Sequence, residues 1–214
     1  MDNIILNSYS KISNIDVSRE TCNELESLIS MIQEKNKDIN IISRKISQKN
    51  LIRDRHIIDS AQIIDFVDLN CNTTSDLGTG GGMPGIIVAI MMKKLRNKMK
   101  IILYEKSYHK CIFLKEVSKK LRLNTEIIQK DIFNLKNLET GTIMSRAFKP
   151  MPIILSLINN NFRNYKNIIF FMGSNGKKIL NETLKIWDLD YEEKKSLTNE
   201  NSFLLSIKKM ERKN

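Results

Sequence analysis

Cysteine, histidine and proline are all scarce in this 214-residue sequence, which has three cysteines, two histidines and three prolines. The cysteines, Cys22, Cys71 and Cys111, lie far apart and form no C-x-x-C pair. This spacing argues against a disulfide framework and a structural zinc site, and it fits a reducing cytoplasm. Cys22 and Cys111 fall in helical patterns, so we expect both to be small buried apolar residues. We predict no metal site.

Long apolar runs are missing as well. No stretch approaches the roughly 18 apolar residues of a transmembrane helix, and no basic start followed by an apolar segment marks an export signal. We therefore expect a cytoplasmic protein that does not span or bind a membrane, and we expect it to be a monomer.

Acidic residues are fewer than basic ones. The chain has 35 lysines and arginines against 24 aspartates and glutamates, which gives a formal net charge of +11. Such an excess favours a polyanionic partner, either nucleic acid or an anionic membrane surface. An alternative is a compositional bias, because lysine, isoleucine and asparagine dominate throughout, as in proteins from AT-rich genomes. Charge alone leaves both interpretations open.

The apolar pattern changes near residue 72. Before it, apolar residues recur at helical spacing with a break at 40–44, which predicts a helical subdomain over residues 1–72. After it, over residues 73–214, predicted strands alternate with predicted helices. The strands are expected to end at Leu77 and to span 100–105, 125–129, 142–145, 167–172 and 202–208, and the helices to span 112–121, 153–162 and 177–187, with Trp187 in the core. This alternation predicts an α/β fold whose mostly parallel sheet has an antiparallel edge strand.

Glycine is rare but concentrated. Five of the eight glycines, with one proline, lie in the segment Ser75-Asp-Leu-Gly-Thr-Gly-Gly-Gly-Met-Pro-Gly85. The segment follows a predicted strand and precedes a helix that should begin near Pro84, since proline is well tolerated in a first helical turn. Glycines there allow positive φ angles and let a ligand contact the main chain. In such sheets ligands bind at the carboxyl ends of the strands.

The spacing of these glycines leaves two nucleoside ligands open. Gly80-x-Gly82-x-x-Gly85 matches the dinucleotide pattern, and Glu105 follows at the distance expected of a ribose-binding acid. Asp76, however, would attract the sulfonium and amino groups of S-adenosylmethionine and repel a pyrophosphate. Met83 and the proline after it would crowd the helix N-terminus that a pyrophosphate needs. The residues favour S-adenosylmethionine, with a nicotinamide-dependent oxidoreductase as the less favoured alternative.

The same glycine segment resembles the D-x-G-[ST]-G-x-G-x-P-G motif of the bacterial 16S rRNA guanine-N7 methyltransferases of the small ribosomal subunit. Other segments are similar to further motifs of that family, in the same order along roughly residues 38 to 210. They are Asn40-Ile-Ile-Ser43, Arg55-His-Ile-Ile-Asp-Ser60, Glu105-Lys-Ser-Tyr-His-Lys-Cys-Ile-Phe-Leu114 and Ser145-Arg-Ala-Phe148. Met172 departs from the family, which commonly has a lysine there.

This resemblance implies a Rossmann-like class I methyltransferase domain with a seven-stranded sheet over residues 73–214, acting on 16S rRNA. It implies that Gly78 and Met83 line the cofactor site, that Ile132 and Phe133 flank the adenine, and that Arg146 faces both the cofactor and the target base. Asp131 either reaches the adenine amino group or caps a helix. The full set of candidate cofactor-binding residues is Asp76, Gly78, Gly80, Met83, Glu105, Asp131, Ile132, Phe133 and Arg146.

Guanine N7 carries an in-plane lone pair and no proton, so its methylation needs no general base. Catalysis would then depend on proximity and electrostatic orientation, with Arg146 as the candidate catalytic residue unless it is a structural ion pair. His56 and Asp59 either bond across the two parts of the chain or contact RNA. Lys106, His109 and Lys110 either contact RNA phosphates or form a solvated helix start. A non-catalytic RNA-binding or ribosome assembly factor is a further alternative.

Overall fold

A computed structural model describes residues 8–10, 12 and 17–213. The helices are α1 (Arg19–Lys35), α2 (Lys49–Ile52), α3 (Asp59–Ala61), α4 (Gly85–Lys94), α5 (Tyr108–Leu121), α6 (Met151–Asn161) and α7 (Gly176–Leu184). The strands are β1 (Thr73–Leu77), β2 (Lys100–Tyr104), β3 (Thr125–Ile128), β4 (Leu138–Glu139), β5 (Thr142–Ser145), β6 (Phe162–Arg163), β7 (Asn167–Met172), β8 (Trp187–Lys195) and β9 (Phe203–Arg212). Among these ranges, no helix is both long and apolar enough to cross a membrane.

The main sheet has seven strands in the order β3-β2-β1-β5-β7-β9-β8. The first five strands in this order pair in parallel, while β9 runs antiparallel to both β7 and β8. The predicted mostly parallel seven-stranded sheet with antiparallel pairing at one edge is therefore confirmed. The short strands β4 and β6 form a separate parallel pair.

Helix α4 joins the sheet to the N-terminal helices. Its residues from Gly85 to Met92 are all buried, which is expected of a helix covered on every side. It contacts β2 on one side and α1 and α3 on the other, so one continuous core runs from Leu25 and Ile29 to Leu103. Cys22 and Cys111 are both buried, as expected. The division into residues 1–72 and 73–214 stays a prediction.

Residues 36–66 take the chain from α1 to the sheet. The predicted break near residue 40 is held by Asn36, whose Oδ1 accepts hydrogen bonds from the backbone N–H groups of Ile41 and Ile42 at 2.8 and 3.0 Å. A 3₁₀ turn, Arg44–Ile46, follows. Helices α2 and α3 are then joined by a π-helical stretch, Arg53–Ile58, and continued by a 3₁₀ turn, Gln62–Phe66.

The chain after residue 176 differs from the prediction in one respect. The helix predicted over 177–187 ends at Leu184, and Trp187 opens β8. Leu184 and Trp187 lie three residues apart, a spacing that fits a helix, but β8 gains a ladder to β9 from Trp187 to Lys195. Trp187 nevertheless lies in the core, with 2% of its surface exposed.

Candidate active site

A cavity of about 600 Å³ lies where β1, β2, β3 and β5 end. These strands are parallel, so their carboxyl ends meet at one edge of the sheet and bring distant segments together. The cavity is lined by Ile41, Ile42, His56, Gly78, Thr79, Gly80, Gly81, Met83, Tyr104, Glu105, Lys106, Lys110, Lys130, Asp131, Ile132, Phe133, Arg146, Ala147, Phe148, Lys149 and Ile153.

Most of the residues singled out in the sequence line this cavity. They are His56, Gly78, Gly80, Met83, Glu105, Lys106, Lys110, Asp131, Ile132, Phe133 and Arg146. Three others do not. Asp76 is fully buried behind the glycine turn, and His109 is exposed on α5, where its ring meets that of Tyr108 edge to face. Asp59 pairs with Arg146 instead.

The glycine turn, residues 78–82, forms the floor of the cavity. Gly78 and Gly80 have φ angles of +68° and +58°, a region in which a side chain is strained. A Cβ built on Gly78 would lie 2.1 Å from Cδ2 of Phe148, so the Phe148 ring rests against the bare main chain. A Cβ on Gly81 would lie 2.7 Å from Cγ2 of Ile41. The turn is thus packed on both sides by residues from other segments.

The buried carboxylate of Asp76 stabilises this turn through hydrogen bonds. Its Oδ2 accepts hydrogen bonds from the Thr79 hydroxyl at 2.6 Å and from the Gly85 N–H at 2.8 Å. Burial raises the pKa of Asp76 to about 6, against the lowering effect of those two hydrogen bonds. Asp76 is fully buried and does not line the cavity, and the attraction between its carboxylate and a cationic ligand stays a prediction. The first N–H group of α4, that of Gly85, already donates to Asp76. It is therefore not available as a hydrogen-bond donor to a pyrophosphate.

Glu105 connects the glycine turn to the end of β2. Its Oε2 accepts a hydrogen bond from the Gly80 N–H at 3.0 Å, and its Oε1 accepts one from the Ser107 N–H at 2.7 Å. Each carboxylate oxygen has a second lone pair. The side chain is therefore oriented by the main chain and retains acceptors for a ligand in the cavity.

The segment after β3 supplies an apolar wall. Asp131 caps the 3₁₀ turn Ile132–Asn134 by accepting a hydrogen bond from the Phe133 N–H at 3.2 Å, so the predicted capping role is present. Ile132 is buried, while Phe133 is 37% exposed and its ring centroid lies 6.2 Å from that of Phe148.

Arg146 is fixed by the helical residues that precede β1. Its Nη2 lies 3.0 Å from Oδ2 of Asp59 and donates to the carbonyl of Arg55. Its Nη1 lies 3.3 Å from both Nδ1 of His56 and Oγ of Ser60. Burial lowers the pKa of Arg146, and Asp59 and Asp76 oppose this effect. The guanidinium nevertheless stays charged near neutral pH.

The same Asp59 carboxylate reaches the loop between β8 and β9. Its Oδ1 accepts hydrogen bonds from the Thr198 hydroxyl at 2.7 Å and from Nε2 of Gln62 at 2.8 Å. Gln62 in turn accepts a bond from the Leu197 N–H at 2.9 Å. One carboxylate therefore connects Arg146, the helical segment and the C-terminal hairpin.

His56 is neutral at physiological pH. Burial, followed by the nearby charges of Arg146 and Arg55, lowers its pKa to about 4. An arginine only donates, so Nδ1 of His56 accepts and Nε2 carries the proton. Nε2 is buried without a hydrogen-bond partner, and His56 lines the cavity.

Sequence reasoning missed two residues that shape the site, Phe148 and Ile41. Both lie in segments whose motifs were recognised, Ser145–Phe148 and Asn40–Ser43, but nothing in their apolar side chains marked them as contacts of the glycine turn. Two further lysines at the cavity, Lys130 and Lys149, were also missed, because isolated lysines are common throughout the chain.

Comparison with known proteins first defines the class. The fold is that of the class I S-adenosylmethionine-dependent methyltransferases. A solved structure of such an enzyme from Aquifex aeolicus matches with a TM-score of 0.55 and 14% identity, over 74% of this chain and 92% of the other. At this identity the likeness concerns the fold alone.

The family follows from closer matches. The model of the GidB family, described as rRNA small subunit methyltransferase G, matches residues 21–204. The Ribosomal RNA small subunit methyltransferase G of Pelagibacter ubique (strain HTCC1062) is 57% identical over 210 residues, covering 98% of this chain and 99% of that protein. The protein of the same description from Ruegeria sp. (strain TM1040) is 30% identical, covering 92% and 95%. The chain belongs to this family, and the family resemblance seen in its motifs is confirmed.

Proposed function

We propose that this protein is an S-adenosylmethionine-dependent methyltransferase that methylates N7 of a guanine in 16S rRNA. The observation that carries the proposal is the cavity at the carboxyl edge of the sheet. It brings the glycine turn, Glu105 and the partly buried Arg146 together in a chain of a family described as rRNA small subunit methyltransferases.

The cavity fits a nucleoside cofactor in size and chemistry. Its volume of about 600 Å³ is within the range of small-molecule sites. Met83, Ile132 and Phe133 offer apolar surface for an adenine ring, and Glu105 offers carboxylate oxygens to ribose hydroxyls. The open space at Gly80, where a Cβ would meet nothing closer than 3.9 Å, leaves the main chain accessible to the ligand.

When bound, S-adenosylmethionine supplies an electrophilic sulfonium methyl group, which passes to N7 while S-adenosylhomocysteine is released. N7 attacks with its own lone pair, so the protein does not have to remove a proton. A general base is not required. His56 would be a weak one, because its pKa is lowered to about 4 and its Nδ1 already accepts a hydrogen bond from Arg146. The work of the protein is to orient the two reactants.

Arg146 is the residue that we assign to hold the target base. Its side chain is 18% exposed on the cavity wall and is fixed by Asp59, so its guanidinium meets a guanine O6 or a phosphate as a preoriented cation. Lys106, Lys110 and His109 are proposed as contacts to RNA phosphates. An accessible, unpaired guanine is the expected target, because the major groove of duplex RNA is deep and narrow.

Methyl transfer to small-subunit RNA tests the proposal directly. Purified protein is incubated with S-adenosylmethionine and either free 16S rRNA or intact small subunits, and N7-methylguanine is mapped by borohydride and aniline cleavage. Arg146→Lys should lower kcat by about 10- to 100-fold, since charge-assisted hydrogen bonds are worth about 1.5–3 kcal/mol. Arg163→Lys is the matched control, because Arg163 is exposed.

Two results would reject the assignment. No cleavage above background from either substrate, combined with salt-sensitive RNA binding, would favour a non-catalytic assembly factor. Thermal stabilisation by NAD(H) but not by S-adenosylhomocysteine would favour the oxidoreductase.

A further inference from the structure

A shallow groove adjoins the cavity on the side of the N-terminal helices. It has a volume of about 480 Å³ and is lined by Asn40, Ile41, Ile42, Ser43, Arg44, Lys45 and Lys110. Ile41, Ile42 and Lys110 line the cavity as well. The groove and the cavity are therefore adjacent, and a ligand that enters one lies beside the other.

Hydrogen bonds anchor the main chain at the floor of the groove. Asn36, 8% exposed, accepts hydrogen bonds from the N–H groups of Ile41 and Ile42, which fixes the main chain of this segment. Ile41 then packs against Gly81 of the glycine turn. Such an anchored loop holds the residues that follow it, Arg44 and Lys45, in place beside the cavity.

The charge of the groove is not compensated. Arg44 and Lys45 are exposed, and within the described ranges neither they nor Lys110 form an ion pair. The apolar residues of the groove, Ile41 and Ile42, are buried to 4% and 7% exposure, so the side chains that it exposes are polar or cationic. This composition suits a strongly hydrated polyanion and does not suit insertion into lipid or a protein partner with an apolar interface.

We propose that this groove binds the phosphates of the RNA strand next to the target guanine. The inference rests on the proposed function, since the strand must pass the groove if its base enters the cavity. Arg44 and Lys45 contact the phosphates, and Lys110 stands where the groove meets the cavity. The N-terminal part of the chain thereby becomes part of the RNA-binding surface.

The double variant Arg44→Gln/Lys45→Gln tests this. The matched control is Lys98→Gln/Lys209→Gln, which removes the same charge from exposed residues. Lys98 precedes β2, and Lys209 lies in the second half of β9, past the residues that pair with β7. Both positions are at the edge of the sheet opposite the cavity. RNA binding is measured by filter retention between about 50 and 200 mM salt, beside steady-state methylation and cofactor titration.

The groove variant should have an RNA Kd and a KM about tenfold higher than those of the control. The slope of its log K against log salt should be smaller in magnitude by about 1.4 to 1.8, the value expected for two lost phosphate contacts. Its kcat and its affinity for S-adenosylhomocysteine should stay within twofold of the control. Equal Kd values and slopes for the two variants would overturn the inference. A loss confined to kcat or to cofactor affinity would also overturn it.

Because RNA binding is read separately from turnover, the two proposals fail in different ways. If the groove variant binds RNA more weakly in a salt-dependent way while the wild type shows no methylation, RNA binding by the groove is supported and the methyltransferase activity is rejected. If the groove and control variants methylate RNA equally efficiently, the methyltransferase activity is supported and RNA binding by the groove is rejected.

Discussion

Gly78→Ala should destabilise the protein through two separable effects. The first is backbone strain at a φ of +68°, which costs about 1–2 kcal/mol for an alanine. The second is the contact with Phe148, whose Cδ2 would lie 2.1 Å from the new Cβ. A normal carbon–carbon contact is about 3.5–4.0 Å, so the ring would have to move by roughly 1.5 Å, at about 1–3 kcal/mol for an overpacked site.

Two other glycines separate these effects. Gly80 has a φ of +58°, but a Cβ there would meet nothing closer than 3.9 Å, and a Cβ on Gly173 would meet nothing within 4 Å. Gly80→Ala should therefore lose only the strain term of about 1–2 kcal/mol, while Gly173→Ala should stay within about 0.5 kcal/mol of the wild type. Gly78→Ala should lose about 2–5 kcal/mol in all.

Trp187 provides the readout. It is the one tryptophan of the chain and is 2% exposed, so its fluorescence reports urea unfolding without a label. Adding Phe148→Ala to Gly78→Ala should recover the contact term of about 1–3 kcal/mol in a double-mutant cycle. The reasoning is refuted if Gly78→Ala and Gly80→Ala lose the same free energy of unfolding, or if removing the Phe148 ring recovers nothing.

Two further substitutions probe the buried charges. Asp76 has a pKa raised from 3.8 to about 6, so its contribution to stability is complete below pH 4 and is lost as the pH rises through 6. Asp76→Asn should remove this pH-dependent contribution of about 3 kcal/mol. The unfolding free energy of the wild type minus that of the variant should therefore fall between pH 4 and 7. A difference that does not change with pH would contradict this. Asp59→Asn should lower kcat about tenfold and leave KM for RNA nearly unchanged, because a neutral amide no longer anchors the Arg146 guanidinium. Steady-state kinetics of this variant, in which Arg146 is intact, measure kcat and KM separately. An unchanged kcat would show that Asp59 is dispensable.

The sequence predicts those parts of the site that depend on local pattern. The glycine turn and Glu105 follow from a strand–turn–helix pattern, and parallel strands bring their ends to one edge whatever their exact register. Side-chain direction at a strand end is less predictable, since it alternates with each residue. Asp76 faces the core beneath the turn, and its spacing to Gly78 gave no sign of that.

Contacts between distant segments were the least predictable. Phe148 and Ile41 touch the glycine turn only because the loops that carry them fold over it. Similarly, the helical spacing of Leu184 and Trp187 could not show that β9 would offer a partner strand. These features depend on tertiary pairing, which a single sequence records only weakly.

The Asp59 carboxylate has a consequence for the order in which the protein matures. It bonds to Thr198, 139 positions later in the chain, as well as to Arg146. During synthesis the strands up to β7 emerge before the hairpin of β8 and β9. Asp59 would therefore at first hold Arg146 without its own hydrogen bond from Thr198. The newly made enzyme would thus gain its fully oriented arginine last, once its C-terminal strands have docked.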